Sequence, residues 1–108
     1  MSAAAAVRTV SGMNQYAIRR RDVWDSVEAL QKTAARSAEV GDEMADDVRW
    51  IRTYVVQEDS GKLGTVCIYE GTSPEKVREQ AERTGMPADE VTVIADTVIV
   101  RPDPVAAA

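Results

Sequence analysis

Two alternating runs separated by four turn residues constrain this chain more than any other feature. From Val48 to Glu58, Val48, Trp50, Arg52, Tyr54 and Val56 point one way, and Arg49, Ile51, Thr53 and Val55 the other. Leu63 to Glu70 repeats the pattern, with Val66 and Ile68 opposed to Thr65, Cys67 and Tyr69. Between the runs, Asp59-Ser60-Gly61-Lys62 is turn chemistry, and Gly61 is free to take a positive φ. The runs therefore pair as an antiparallel hairpin. Both of its faces carry apolar or aromatic residues, so a sheet built on it needs cover on each side.

Helical patterns flank the hairpin. Upstream, Val23, Val27, Leu30, Ala34 and Ala38 recur at helical spacing. Asp22 is the expected N-cap, Asp25 sits in the first turn where the helix dipole favours negative charge, and the helix runs to about Met44, weakened by Gly41. Downstream, Ser73 caps a helix that starts at Pro74, and Glu75 complements the dipole. That helix turns Val77 and Ala81 inward, ends near Thr84, takes Gly85 as its C-terminal cap and is stopped by Pro87. Asn14 to Arg21 reads as a first strand. Val91 to Val100 reads as a last one, interrupted at Ala95-Asp96 by a bulge or by passage to a second pairing partner.

The order β-α-β-β-α-β predicts an α+β, ferredoxin-like split fold: a four-stranded antiparallel sheet with two helices on one face. The second face then needs a cover. A partner's sheet would give a homodimer of the α/β-barrel type, and a ligand pocket between sheets is the functional form of the same observation.

The 108 residues suit one domain at 13–101, with a flexible N-terminal segment at 1–12 and a flexible tail at 102–108. The single cysteine, Cys67, excludes an internal disulfide, which favours an oligomer as the source of extra stability. Thirteen basic against 18 acidic residues is not the footprint of a nucleic-acid binder. The one basic cluster, Arg19-Arg20-Arg21, reads as a solvated strand end, with an anion contact as the alternative. No apolar run is long enough to cross a membrane, and a cytoplasmic protein with a reduced thiol is expected. The chain has no histidine, which removes the commonest metal ligand and general base.

Candidate chemistry gathers on one strand face: Tyr16, Trp50, Arg52, Tyr54, Cys67 and Tyr69, with Glu70 at the strand end as a possible general base. Arg52 between Trp50 and Tyr54 could hold a carboxylate or stack on a ligand's ring. The same residue types also make dimer interfaces. Glu39, Asp42, Glu43, Asp46 and Asp47 form an acidic stripe if the helix persists, best read as a solvated face. Cys67 reads as a small buried hydrophobe.

Several segments also resemble a known family. Arg36-Ser37-Ala38-Glu39-Val40, Val48-Arg49-Trp50-Ile51-Arg52-Thr53-Tyr54-Val55, Cys67-Ile68-Tyr69-Glu70-Gly71 and Pro74-Glu75-Lys76-Val77-Arg78-Glu79, followed by Thr84-Gly85-Met86-Pro87-Ala88-Asp89, are similar to the family catalogued as domain of unknown function 4242. The resemblance covers roughly residues 14–95. It implies a ferredoxin-like fold, dimers and an association with nickel. Relatives often carry a Glu-His pair in the second helix. Here the pair is Glu79-Gln80, and glutamine is a poor nickel ligand beside imidazole, so no nickel site is carried over. Three readings remain: a homodimeric module that holds a small molecule or metal ion, a cofactor-free enzyme of the dimeric α/β-barrel type (isomerase or monooxygenase-like), or a purely structural dimer. A haem-degrading variant would want an axial histidine.

Overall fold

The computed structural model describes residues 13–86, 88 and 90–104. Six elements follow in the expected order: β1 (Asn14–Trp24), α1 (Val27–Glu43), β2 (Val48–Gln57), β3 (Leu63–Gly71), α2 (Pro74–Thr84) and β4 (Glu90–Val93). The strands form one sheet in the order β2-β3-β1-β4, with every neighbouring pair antiparallel. This is the ferredoxin-like α+β arrangement. Val40 of α1, Met44 at its C-cap, and Val77 and Ala81 of α2 pack with Tyr16, Ile18, Val48, Cys67 and Tyr69 of the sheet to form the core.

The second helix is built as its sequence dictates. The Ser73 hydroxyl accepts from the Lys76 N–H at 3.2 Å, Pro74 opens the helix, and Gly85 closes it in the left-handed region at φ 86°. The hairpin turn also forms as expected, with Gly61 at φ 92° and the Glu58 N–H donating to the Lys62 carbonyl at 2.9 Å.

The first helix starts later than its sequence suggests. Its N-cap is Ser26, which accepts from the Ala29 N–H at 3.2 Å, and not Asp22. Asp22 instead takes φ 56° inside an irregularity of β1, held by the Ser60 hydroxyl on its carboxylate. The extra strand length brings Trp24 opposite Leu63 and buries its ring, while Val23 is left exposed. The inward stripe of α1 accordingly runs through Ala34, Ser37, Val40 and Met44, and Ala38 faces solvent.

The last strand is shorter than predicted. Pairing with β1 stops at Val93, and after the Ile94 N–H donates to the Gln15 carbonyl at 2.9 Å the chain leaves the sheet. It then passes across the face opposite the helices to Asp103, which bonds Arg52 and Tyr54 on β2. Val98, Ile99 and Val100 in this strap are 73–78% exposed. The segment expected to be flexible at 1–12 lies outside the described residues, as do 105–108.

Gly64 sits where β3 meets the β1 irregularity, and a Cβ there would lie 2.5 Å from the Arg20 carbonyl oxygen. Backbone cannot yield as a side chain does. Gly64→Ala is therefore expected to destabilise the fold by about 1–3 kcal/mol, read as a lower urea midpoint with an unchanged slope.

Candidate functional site

One extra residue in β2 determines where the candidate residues go. Trp50 pairs with Tyr69, but Arg52 pairs with Ile68 and Thr53 with Cys67, so Ile51 is a bulge. Because side chains alternate, the bulge reverses the facing of everything after it. Trp50 stays on the helix side with Tyr16, Cys67 and Tyr69, whereas Arg52 and Tyr54 go to the opposite side with Ile68. The single aromatic-and-arginine face expected from strict alternation is thus two half-faces.

On the helix side, α1 stands off the sheet and leaves a cavity of about 270 Å³. Both tryptophans of the chain line it, Trp24 from β1 and Trp50 from β2. Val27, Leu30 and Ala34 of α1 and Met86 supply further apolar wall. Trp50 stacks on Tyr69 with ring centroids 6.3 Å apart and planes 14° from parallel. The Trp50 Nε1 donates to Thr53 Oγ1 at 2.7 Å, and that hydroxyl donates on to the Cys67 Sγ at 3.2 Å. Arg20 approaches the same sulfur at 3.7 Å and is only 5% exposed, so the middle of the arginine triplet is buried and not the solvated strand end expected. Arg19 is tied to Glu58 and Arg21 to Glu90, and each arginine's hydrogen bond holds its partner's carboxyl below the usual range.

Tyr69 and Ser37 make one polar spot in the cavity wall, and the Thr65 hydroxyl, buried without a hydrogen-bond partner, makes another. The Tyr69 and Ser37 hydroxyl oxygens are 3.3 Å apart. Burial pushes the Tyr69 phenol up from its ordinary value, against the opposing effect of the Ser37 hydrogen bond. Ser37, Trp24 and Thr53 were missed as site residues in the sequence. A helical frame taken from Leu30 rather than Val23 would have placed Ser37 inward, but nothing in the sequence announces the bulge that turns Thr53 in.

On the opposite side, Arg52 donates to the Tyr54 hydroxyl at 3.3 Å and to Asp103 at 2.6 Å. These two partners, Tyr54 first, raise the guanidinium's hold on its proton. A second, larger hollow of about 760 Å³ lies between this face and the strap. Glu70 is buried, and its carboxylate accepts from Arg49 at 3.1 Å. It is two strand positions from Ile68 and does not reach the helix-side cavity.

Fold and site together define a two-layer ferredoxin-like protein with an apolar cavity under its first helix. The chain belongs to the family described as Nickel responsive protein SCO4226-like, whose model matches residues 16–94. The nickel-linked family is thereby shown, under that description and not under the domain-of-unknown-function label. Among solved structures, the chain is similar to the one described as "Crystal structure analysis of SCO4226 from Streptomyces coelicolor A3(2)". The TM-score is 0.63 with 20% identity, over 78% of this chain and 99% of that one, a likeness that carries the fold. No curated protein matches the chain.

The described residues do not fit a nickel ion. Among them no three His, Cys, Asp or Glu side chains converge on one point. Cys67 has a guanidinium at its sulfur and Glu70 is already engaged by Arg49, so these two side chains face cations and lie on different sides of the sheet.

The Tyr69 shift has a stability consequence. A phenol whose folded value is raised contributes stability that is fully present below the unfolded value, about 10, and lost as pH rises through the folded one. Denaturation midpoints should fall above about pH 10. Tyr69→Phe should flatten that fall, and tyrosinate absorbance should lose its highest-pH step.

Proposed function

We propose that this member of the nickel-responsive family is a binding protein for a compact, apolar organic molecule held between α1 and the sheet. The observation that carries the reading is the cavity of about 270 Å³ walled by two tryptophans, Leu30, Val27 and Met86. A dry cavity of about 150 Å³ already admits a benzene-sized guest, so this one has room for a substituted ring or a short branched chain. Ligand pockets of this kind are mostly apolar with few polar groups, which is the composition here. Metal capture by the described residues has no support in their chemistry, so the family's nickel response is better served here by recognition of an organic molecule than by a protein-ligated ion.

Both tryptophans of the chain report on the cavity, so intrinsic fluorescence reads its occupancy directly. Titration with indole, toluene or 1-naphthol should give a saturable change and a raised melting temperature. Ala34→Phe, which places a ring in the space, should abolish both while the protein stays folded. A response that never saturates, or one that survives Ala34→Phe, overturns the reading.

The working form we propose is a cytoplasmic homodimer joined through the face opposite the helices. Support comes from apolar surface there: Ile51 and Tyr54 are 39% and 44% exposed, and Val98, Ile99 and Val100 of the strap far more so. The unpaired Cys67 thiol supports a reducing compartment. Light scattering should return twice the chain mass of 11.8 kDa, and Ile99→Asp should return the single mass with little change in melting temperature. A wild-type monomer at hundreds of micromolar would sink the dimer and leave the cavity reading intact.

A further inference from the structure

A count of hydroxyl hydrogens at the Ser37–Tyr69 spot says more about the ligand than the apolar wall does. The Gln80 side chain, 1% exposed, lies behind Ser37 between the two helices. Its Nε2 donates to the Ser37 carbonyl at 3.1 Å and to the Ser37 Oγ at 3.0 Å. A carbonyl oxygen can only accept, so the amide orientation is fixed with nitrogen toward Ser37 and Oε1 turned away, where it has no partner. Thr84, the other neighbour of this amide, spends its hydroxyl hydrogen on the Gln80 carbonyl at 2.9 Å.

Ser37 Oγ therefore receives a hydrogen from Gln80 and still has one to give. Tyr69 also has one to give, because burial keeps its phenol protonated at neutral pH. The two hydroxyls share a single contact, 3.3 Å long, in which only one of them can donate. Among the described residues neither has another acceptor, so one hydrogen is left over. Ser37 and Tyr69 are both at least 98% buried and both line the cavity. A buried donor without an acceptor is costly, and the empty space beside it is where an acceptor would sit.

Building on the cavity reading above, we propose that the ligand is a neutral molecule with one hydrogen-bond acceptor, a ketone, aldehyde, ester or ether oxygen, placed against the Ser37–Tyr69 pair, whose spare hydrogen Gln80 does not take because it presents its amide nitrogen to Ser37. A hydrocarbon of the same shape fills the space but strands the hydrogen. A carboxylate would have to be stripped of water against a wall of tryptophan and leucine. A carbonyl meets both the apolar wall and the spare donor.

The test compares acetophenone with its hydrocarbon isostere α-methylstyrene, by tryptophan fluorescence and by calorimetry, on the wild-type protein and on the double variant Ser37→Ala/Tyr69→Phe. In the wild type the ketone should bind about tenfold more tightly than the hydrocarbon, the factor one net hydrogen bond supplies. The double variant Ser37→Ala/Tyr69→Phe keeps the ring against Trp50 and removes both hydroxyls, so it should bring the two ligands to within about twofold while hydrocarbon affinity is retained, whereas either single variant leaves one hydroxyl hydrogen without an acceptor and should keep the preference. Equal binding of ketone and hydrocarbon by the wild type overturns the proposal, assigns the spare hydrogen to water and leaves the cavity reading standing. Binding of neither overturns the cavity reading and this proposal with it. If the double variant fails to fold, the wild-type comparison decides alone.

Discussion

The register of β3 between its two neighbours is the constraint on which the rest of the molecule depends. On one side it holds Tyr16 opposite Tyr69 and Ile18 opposite Cys67 without interruption. On the other it accepts a strand one residue too long, and Ile51 bulges. Had β2 kept strict alternation, Arg52 and Tyr54 would have entered the helix side and brought a guanidinium into the apolar layer. The bulge sends that charge to the solvent side, where Asp103 and Tyr54 receive it, and turns Thr53 inward to bridge Trp50 and Cys67. The cavity keeps its largely apolar wall because one extra residue sits in the strand beside it.

The helix layer then determines where the polar atoms of the interior sit. α1 and α2 touch through Ser37 and Gln80 rather than through hydrocarbon alone. Such a contact adds little net stability over a packed pair of leucines, but its geometry is directional. It orients the Ser37 hydroxyl and, through it, the Tyr69 phenol, so the packing of two helices is coupled to the chemistry of the cavity wall. The capping differences serve the same end. With Ser26 as the cap, α1 begins one turn later than Asp22 would have allowed, and the freed strand residues carry Trp24 into the wall.

Local signals made the topology legible in the sequence, and non-local ones hid the site. Ser73-Pro74 and Gly85 mark α2 because caps act within a few residues, and the hairpin turn at Gly61 is read for the same reason. The start of α1 was misread because Asp22 and Ser26 are both competent caps, and the choice between them is made by Trp24 finding a place opposite Leu63. The bulge has no sequence marker at all: Ile51 is as good a strand residue as any, and only the length mismatch between paired strands singles it out. Tyr16, Trp50, Cys67 and Tyr69 were correctly grouped, while Arg52 and Tyr54 were grouped with them in error for that one reason. The last strand shows the converse. Val98-Ile99-Val100 has every local mark of a strand, yet a strand needs a neighbour, and β1 has already been paired as far as Val93.

Electrostatics explains why the cavity, and not the acidic stripe, is the place to look for recognition. α1 ends at Glu43, so Asp46 and Asp47 never join its face, and the five carboxylates do not line up. Three of them are met by cations: Arg36 lies 3.8 Å from Glu39, Arg83 is 3.9 Å from Glu43, and Lys76 is 3.8 Å from Asp47. Exposed pairs of this kind contribute little stability each. Their effect is to weaken the field that a divalent cation would need, by setting a basic side chain of α1 or α2 against three of the five carboxylates. Among the described residues the space under α1 is instead apolar, walled by two tryptophans, with the hydroxyls of Ser37, Thr65 and Tyr69 in its wall.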